Sequence, residues 1–405
     1  MPGISQRAQI TQASPIRKLK PLADQAIANG KKIYNLNIGQ PDIPTPKSFI
    51  EGAQHPPDVI AYTPSQGIDE AVQLTAKYYE SVGIPLSASE LIITTGGSEA
   101  ISYALLAICD AGDEVLVPEP FYTNYNSYAT MADVVIVPIE TSSEDGFHLP
   151  SRESIEAKIT PRTKAILFCS PGNPTGTVYS EAEMNMLGEI VHEHNLFMIS
   201  DEVYREFVYD GQTHTSAYDV PGVEDRVILV DSISKRLSAC GARIGAIGCK
   251  NGEVYGALLK FAQARLSPPT FGQLGLINFL KSESYKSDID EIVSKFERRR
   301  NVLFDAIEQI PGAFCLKPEG AFYVILRLPV ENAEDFCKWL LSDFDLDGDT
   351  VMLAPAEDFY STPGKGRDEV RIAYVLNEAA LVSSMEVLKA ALAAYPAKTS
   401  AEAIS

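Results

Sequence analysis

The stretch SISKRLSACGARIG, Ser232 to Gly245, sets Lys235 among small residues, with Ser232 and Ser234 before it and Arg243 after it. A lysine amine attacks carbonyl carbons when its surroundings lower its proton affinity, whereas an arginine and hydroxyls suit a phosphate. One short stretch could thus hold both ends of a phosphorylated aldehyde. The plain alternative for Lys235 is a solvated surface charge, the commonest state of a lysine. Upstream, Asp201 ends the apolar run LFMISD and is followed by Tyr204 in DEVY. An acid at the end of a buried strand can pair with a ring nitrogen and keep it protonated, or it can be an ordinary loop acid beside Glu202. PGNPTG carries Asn173 between two prolines, either as a hydrogen-bond donor near that acid or as a turn residue only. In TTGGSEA, Gly96 and Gly97 let backbone approach a ligand closely. A helix starting at Ser98 would aim unpaired amides at a phosphate.

These residues need a scaffold that gathers them at one rim. From Leu91 to Cys249 the runs LIITT, EVLVP, VVIVPI, AILFCS, FMIS, VILV and IGAIGC alternate with longer amphipathic stretches. That rhythm predicts an α/β fold with a mostly parallel seven-stranded sheet between helices, whose ligands sit beyond the carboxyl ends of the strands. The polar, glycine and aromatic residues of interest follow successive runs. A second region, from SKFERRRNVLFDAIEQI through GAFYVILRLP, VMLAPAEDF and EVRIAYVL to an alanine-rich helix, predicts a smaller α/β domain. The expected organisation is an N-terminal arm with part of the small domain over 1–47, a large domain over 48–285 and a small C-terminal domain over 286–405. The tail PAKTSAEAIS is expected to fray.

The composition narrows the function classes. With 34 Lys and Arg against 54 Asp and Glu, the chain has a formal net charge of −20, which works against nucleic acid and anionic membranes. Six cysteines form no CxxC pair and no metal-ligand spacing with the five histidines. They predict reduced thiols in a cytoplasmic protein and no metal site. No apolar run has the length of a membrane span, and the start lacks the apolar core of a secretory signal. No GxGxxG opens a helix after a first strand, as a simple nicotinamide dehydrogenase would require.

The joint order of the motifs carries more than any one of them. NIGQPDIPTP, YTPSQG, TTGGSEA, PGNPTG, SDEVY, SISKRLSACGARIG and EVRIAYV together resemble the class I and II aminotransferases, in the fold type I group of pyridoxal phosphate enzymes. The resemblance implies that Lys235 anchors the cofactor aldehyde, that Asp201 pairs with the ring nitrogen, and that Asn173 and Tyr204 hold the ring oxygen. Tyr122 would stack on the ring, with Gly97, Ser98, Ser232 and Arg243 at the phosphate. Arg371 would bind the substrate α-carboxylate through its planar fork. Gly39 would lie in the loop that closes over substrate. Tyr62 would reach the cofactor phosphate of a neighbouring subunit, making the active site a property of a homodimer.

The implied reaction moves an amino group from an L-amino acid, aspartate or aromatic or other, to a 2-oxo acid such as 2-oxoglutarate in a ping-pong cycle. Lys235 would serve first as anchor and then as general base. A carbon–sulfur lyase or a decarboxylase on the same fold is the alternative chemistry, and a cofactor-binding regulator the alternative class. The latter lacks a basic recognition segment here. Two departures bear on substrate. In one aspartate-specific branch the residue after the paired glycines is a lysine for the distal carboxylate, where this chain has Ser98. Arg265, in QARLSPPT, occupies the region from which some members of the family send an arginine into the neighbouring subunit's pocket, and is either a distal-carboxylate ligand or a surface charge.

Overall fold

The computed structural model describes residues 2–396. The tail from Ala397, expected to fray, lies outside the described residues. Strand β1 (Lys32–Asn35) comes first, followed from Leu91 by β2 (Leu91–Thr94), β3 (Glu114–Glu119), β4 (Val135–Glu140), β5 (Thr163–Cys169), β6 (Phe197–Asp201), β7 (Val227–Ser232) and β8 (Gly245–Gly248). Each of β2 to β8 falls on one of the seven apolar runs. They form one sheet in the order β2, β8, β7, β6, β5, β3, β4. The strands β3 to β7 are mutually parallel, whereas β8 runs antiparallel to both β2 and β7.

Alternation within the strands explains why helices cover both faces. Val115, Val117, Ala165, Leu167, Ile199, Ile228 and Val230 enter one core with the helices Gly96–Ile108 and Gly252–Arg265. Their neighbours Leu116, Ile166, Phe168, Met198, Val227 and Leu229 enter the opposite core with the helix Glu181–Glu193. That last helix starts where Ser180 and Glu183 form a reciprocal capping box. The strand β4 closes one edge and is correspondingly part exposed.

A third core gathers the rest of the chain. Helix Tyr285–Ile307 packs Phe296, Leu303 and Ile307 against β9 (Tyr323–Arg327), β10 (Asp349–Met352) and β12 (Glu369–Ala373), and the short β11 (Ala354–Pro355) lies beside β12. The strands β11, β12 and β9 make an antiparallel sheet, and β10 pairs in parallel with β1. From the segment before residue 48, Leu19, Ala23, Tyr34, Leu36 and Ile43 enter this third core, whereas Arg7 and Gln12 bond to Asp133 and Asn126 beside the large sheet. Tyr204 and Phe207, just beyond β6, pack edge-on against Phe322, so the third core is continuous with the rim of the large sheet. Among the described residues, no helix is long and apolar enough to cross a membrane.

One close approach fixes the rim. A Cβ on Gly245 would lie 2.5 Å from the carbonyl carbon of Gly96, 2.7 Å from the Asp231 oxygen and 2.8 Å from the Gly97 nitrogen. All three are backbone atoms and cannot swing aside. Gly245→Ala is therefore expected to lower the unfolding free energy by about 3 kcal/mol, measured by urea denaturation. A loss under about 1 kcal/mol would show that the turn at Gly96 can yield.

Candidate active site

The strands β5, β6 and β7 end at the same rim, with Cys169 in register with Asp201 and Asp201 with Val230. The loops that follow carry Asn173, Tyr204 and Lys235, and they open onto one cavity of about 460 Å³. Gly39, Gly97, Ser98, Tyr122, Asn173, Asp201, Tyr204, Ser232, Lys235, Arg243 and Arg371 all line it. Tyr62 and Arg265 do not. Tyr62 is 79% exposed. Arg265 is neither in the cavity nor a free surface charge: it donates to the Ser65 oxygen at 2.8 Å and lies 3.6 Å from Glu99.

At the floor, Asp201 is 6% exposed and accepts from the Tyr125 hydroxyl at 2.7 Å and the Val203 amide at 3.4 Å. Burial raises its pKa from 3.8 to about 6 against the pull of those two bonds, and the nearby acids Asp231 and Glu202 add to the rise. No lysine, arginine or histidine makes an ion pair with it among the described residues. Tyr122 meets Tyr125 edge-on at 5.6 Å, so one aromatic lines the cavity while the other orients the acid.

Arg371, on β12, presents the opposite charge. Its side chain is 1% exposed, with the guanidinium 4.7 Å from the Tyr323 ring centre and 5.0 Å from that of Phe359. One nitrogen donates to the Asn173 side-chain oxygen at 3.0 Å and another to the Asn37 carbonyl, while Nε is buried without a partner. Burial lowers its pKa, and the groups that oppose this are the phenols of Tyr323, Tyr204 and Tyr122 rather than a carboxylate. Tyr204 itself is buried and shares a hydrogen bond of 2.9 Å with the Tyr323 hydroxyl.

Lys235 lies on the short helix Ile233–Arg236, which Ser232 caps by accepting from the Ser234 amide at 3.2 Å. Its Nζ donates to the Gly39 carbonyl at 2.7 Å and sits 5.8 Å from the Phe322 ring centre. A Cβ on Gly39 would lie 1.8 Å from the Tyr323 hydroxyl, so any larger residue there would have to displace that ring. Beneath the lysine, Asp231 accepts from Arg236 at 2.8 and 2.9 Å, from Arg205 at 3.1 Å and from Tyr79 at 2.9 Å. Burial alone would raise the Asp231 pKa, but the two arginines hold it well below the usual carboxylate range. This buried pairing clamps both sides of the Lys235 turn.

The remaining wall is built for an anion. The helix expected from Ser98 in fact begins at Gly96, because the left-handed φ of +75° at Gly96 turns the chain directly out of β2. The first-turn amides, including those of Gly97 and Ser98, have no partner within the helix. A Cβ on Gly96 would come 2.3 Å from an Arg243 guanidinium nitrogen, so the glycine admits that arginine. Arg243 is held by the Cys240 and Thr95 carbonyls at 3.0 and 3.3 Å, and the Ser232 and Ser234 hydroxyls are 2.8 Å apart.

These features fit pyridoxal phosphate: an anion cup at Gly97, Ser98, Ser232 and Arg243, a lysine for the aldehyde, and a buried acid whose own surroundings supply no cation. Tyr125, Tyr323 and Asn37 join the site without being among the residues that the motifs single out. The tyrosines at 122, 125 and 128, spaced three apart just after β3, are the signal in the sequence that points to Tyr125.

The geometry carries a pH signature in protein freed of cofactor. The folded state binds the Asp201 proton more tightly than the unfolded chain does, so this contribution to stability is complete below about pH 4 and is lost as pH rises through 6. Relative to Asp201→Asn, the wild type should lose on the order of 3 kcal/mol across that window, measured by chemical denaturation at stepped pH. Parallel profiles for the two proteins would contradict the burial of an unpaired acid.

Comparison with known proteins points to one family. The family model described as aminotransferase class I and II matches residues 31–390. A protein of Aquifex aeolicus named "Probable aspartate/prephenate aminotransferase" is 32% identical over 396 residues, covering 96% of this chain and 98% of its own. The aspartate aminotransferase of Bacillus subtilis is 30% identical over 399 residues, covering 95% and 98%. The solved structure of the Thermus thermophilus aspartate aminotransferase with maleate superposes with a TM-score of 0.87 at 29% identity, covering 96% of this chain and all of that one. Matched over nearly its whole length, the chain belongs to the class I and II aminotransferases and is a pyridoxal phosphate-dependent aminotransferase.

Proposed function

We propose that the enzyme moves the amino group of an L-amino acid to 2-oxoglutarate or a similar 2-oxo acid in a ping-pong cycle, with Lys235, Asp201 and Arg371 as its central residues. The observation that carries this reading is the pair of opposite buried charges on one cavity, Asp201 without a cation and Arg371 without a carboxylate, with Lys235 on the same wall. Pyridoxal phosphate supplies an electrophilic carbonyl carbon and a ring that withdraws electrons while its nitrogen stays protonated. Asp201 would hold that proton in place, with Tyr125 fixing the carboxylate. Asn173 and Tyr204 would hold the ring oxygen, Tyr122 would lie against the ring, and Gly97, Ser98, Ser232 and Arg243 would hold the phosphate.

Arg371 grips the substrate α-carboxylate, its unpartnered Nε being available for a planar two-point contact. Lys235, which would anchor the group, would also take up the α-proton at Nζ and return a proton on the product side. Gly39, whose carbonyl already holds Lys235 Nζ, lies in the segment that closes over the ligand.

An apolar surface supports a homodimer with shared sites. Val59, Ile60, Tyr62, Leu266 and Phe271 are exposed, and the Arg265 contact with Ser65 and the Gln273 contact with Thr63 bring their segments together. In this reading Tyr62 completes the phosphate cup of a second copy, and Arg265 belongs to that interface. The arm at 1–47, the large unit at 48–285 and the small unit at 286–405 then meet at the cavity, and the enzyme works in the cytoplasm.

A panel of amino donors tests the reading, with cofactor absorbance followed with and without 2-oxoglutarate. Product that accumulates stoichiometrically only with an acceptor is the expected result; ammonia or carbon dioxide released from donor alone would overturn it. Lys235→Ala should abolish both the lysine-bound cofactor absorbance and turnover while leaving the fold intact. Asp201→Ala should keep the covalent link yet lose at least about a hundredfold in rate, in line with loss of a charge-stabilising group.

A further inference from the structure

Four cations line the cavity against one acid, Arg17, Lys235, Arg243 and Arg371 against Asp201, in a chain with a net charge of −20. Three of the four have roles in the proposed reaction. Arg17 has none. It ends a short 3-10 turn, Pro15–Arg17, whose backbone is pinned on several sides. Pro15 is buried, the Ile16 carbonyl accepts from the Asn37 side chain at 3.0 Å, and Lys18 is bonded to Asp358 and Glu334. The Asn37 carbonyl in turn accepts from Arg371. One asparagine thus ties the Arg17 turn to the Arg371 guanidinium and sets both on the same side of the cavity.

The Arg17 guanidinium itself is exposed, and no ion pair or side-chain hydrogen bond holds it among the described residues. The other candidates for a second carboxylate differ. Ser98 carries no charge, and the guanidinium of Arg265 is turned to Ser65 and Glu99, away from this cavity.

We infer that Arg17 binds the distal carboxylate of dicarboxylic amino acids and 2-oxo acids, making it the specificity-determining cation of the site. This rests on the reading of Arg371 as the α-carboxylate ligand. A fixed turn below and an unrestrained side chain above let one guanidinium meet carboxylates on chains of four or five carbons. A neutral donor makes no use of it.

The test compares cofactor-loaded wild type with Arg17→Gln and Arg17→Lys. For Arg17→Gln, kcat/KM for L-aspartate and L-glutamate should fall at least about tenfold, mainly through KM. The value for L-phenylalanine should stay within about twofold of wild type. Succinate binding, titrated by calorimetry, should weaken by a similar factor, and Arg17→Lys should recover part of it. Unchanged dicarboxylate kinetics in Arg17→Gln, or an equal loss for L-phenylalanine, would overturn the inference, as would a wild type that turns over no dicarboxylic donor. Arg371→Lys separates the two readings: it should impair every donor, and if it impairs none the α-carboxylate reading fails independently of Arg17.

Discussion

Asp201 and Arg371 are both buried against one cavity, yet no ion pair joins them. Each is held back by its own partners: the carboxylate by Tyr125 and the Val203 amide, the guanidinium by two aromatic faces, Asn173 and the Asn37 carbonyl. Keeping opposite charges apart and largely out of contact with water costs several kcal/mol for each ion. A ligand that brings a protonated ring nitrogen to one and a carboxylate to the other recovers that cost at the moment of binding. Lys235, Arg243 and Tyr204 line the same cavity.

The fold sustains this separation by drawing the two charges from different layers. Asp201 ends β6 at the centre of the seven-stranded sheet, where both faces are packed by helices. Arg371 sits inside β12, in the antiparallel sheet of the third core. Tyr204, Phe207 and Phe322 bridge the layers with edge-on aromatic contacts, which fix the gap between the charges. The strand β8, antiparallel between β2 and β7, brings Gly245 hard against Gly96 and so places the anion cup beside the lysine turn.

Much of this was legible in the sequence because the sheet strands are short apolar runs and the chemistry follows them at one rim. Lys235, Asp201, Asn173, Tyr204, Ser232, Arg243 and Arg371 do line one cavity, as their motif order implies. What stayed hidden depends on long-range geometry. The reversed direction of β8 leaves no mark on a run of four residues. The Tyr125 bond to Asp201 spans 76 positions and that of Arg371 to Asn173 spans 198, and neither pairing has a local pattern. The helix start at Gly96 rather than Ser98 follows from a positive φ that glycine permits but does not announce. Arg17 lies in a segment with no strand or long helix, and only the cavity reveals it.

The central claim is that the buried acid exists to pair with the cofactor ring nitrogen while Lys235 holds the aldehyde carbon. A crystal structure of the cofactor-loaded enzyme tests it most directly. The account predicts continuous density from Lys235 Nζ to that carbon and an Asp201 carboxylate oxygen within about 3 Å of the ring nitrogen. A cofactor seated with its ring nitrogen away from Asp201, or joined to a different lysine, would contradict it.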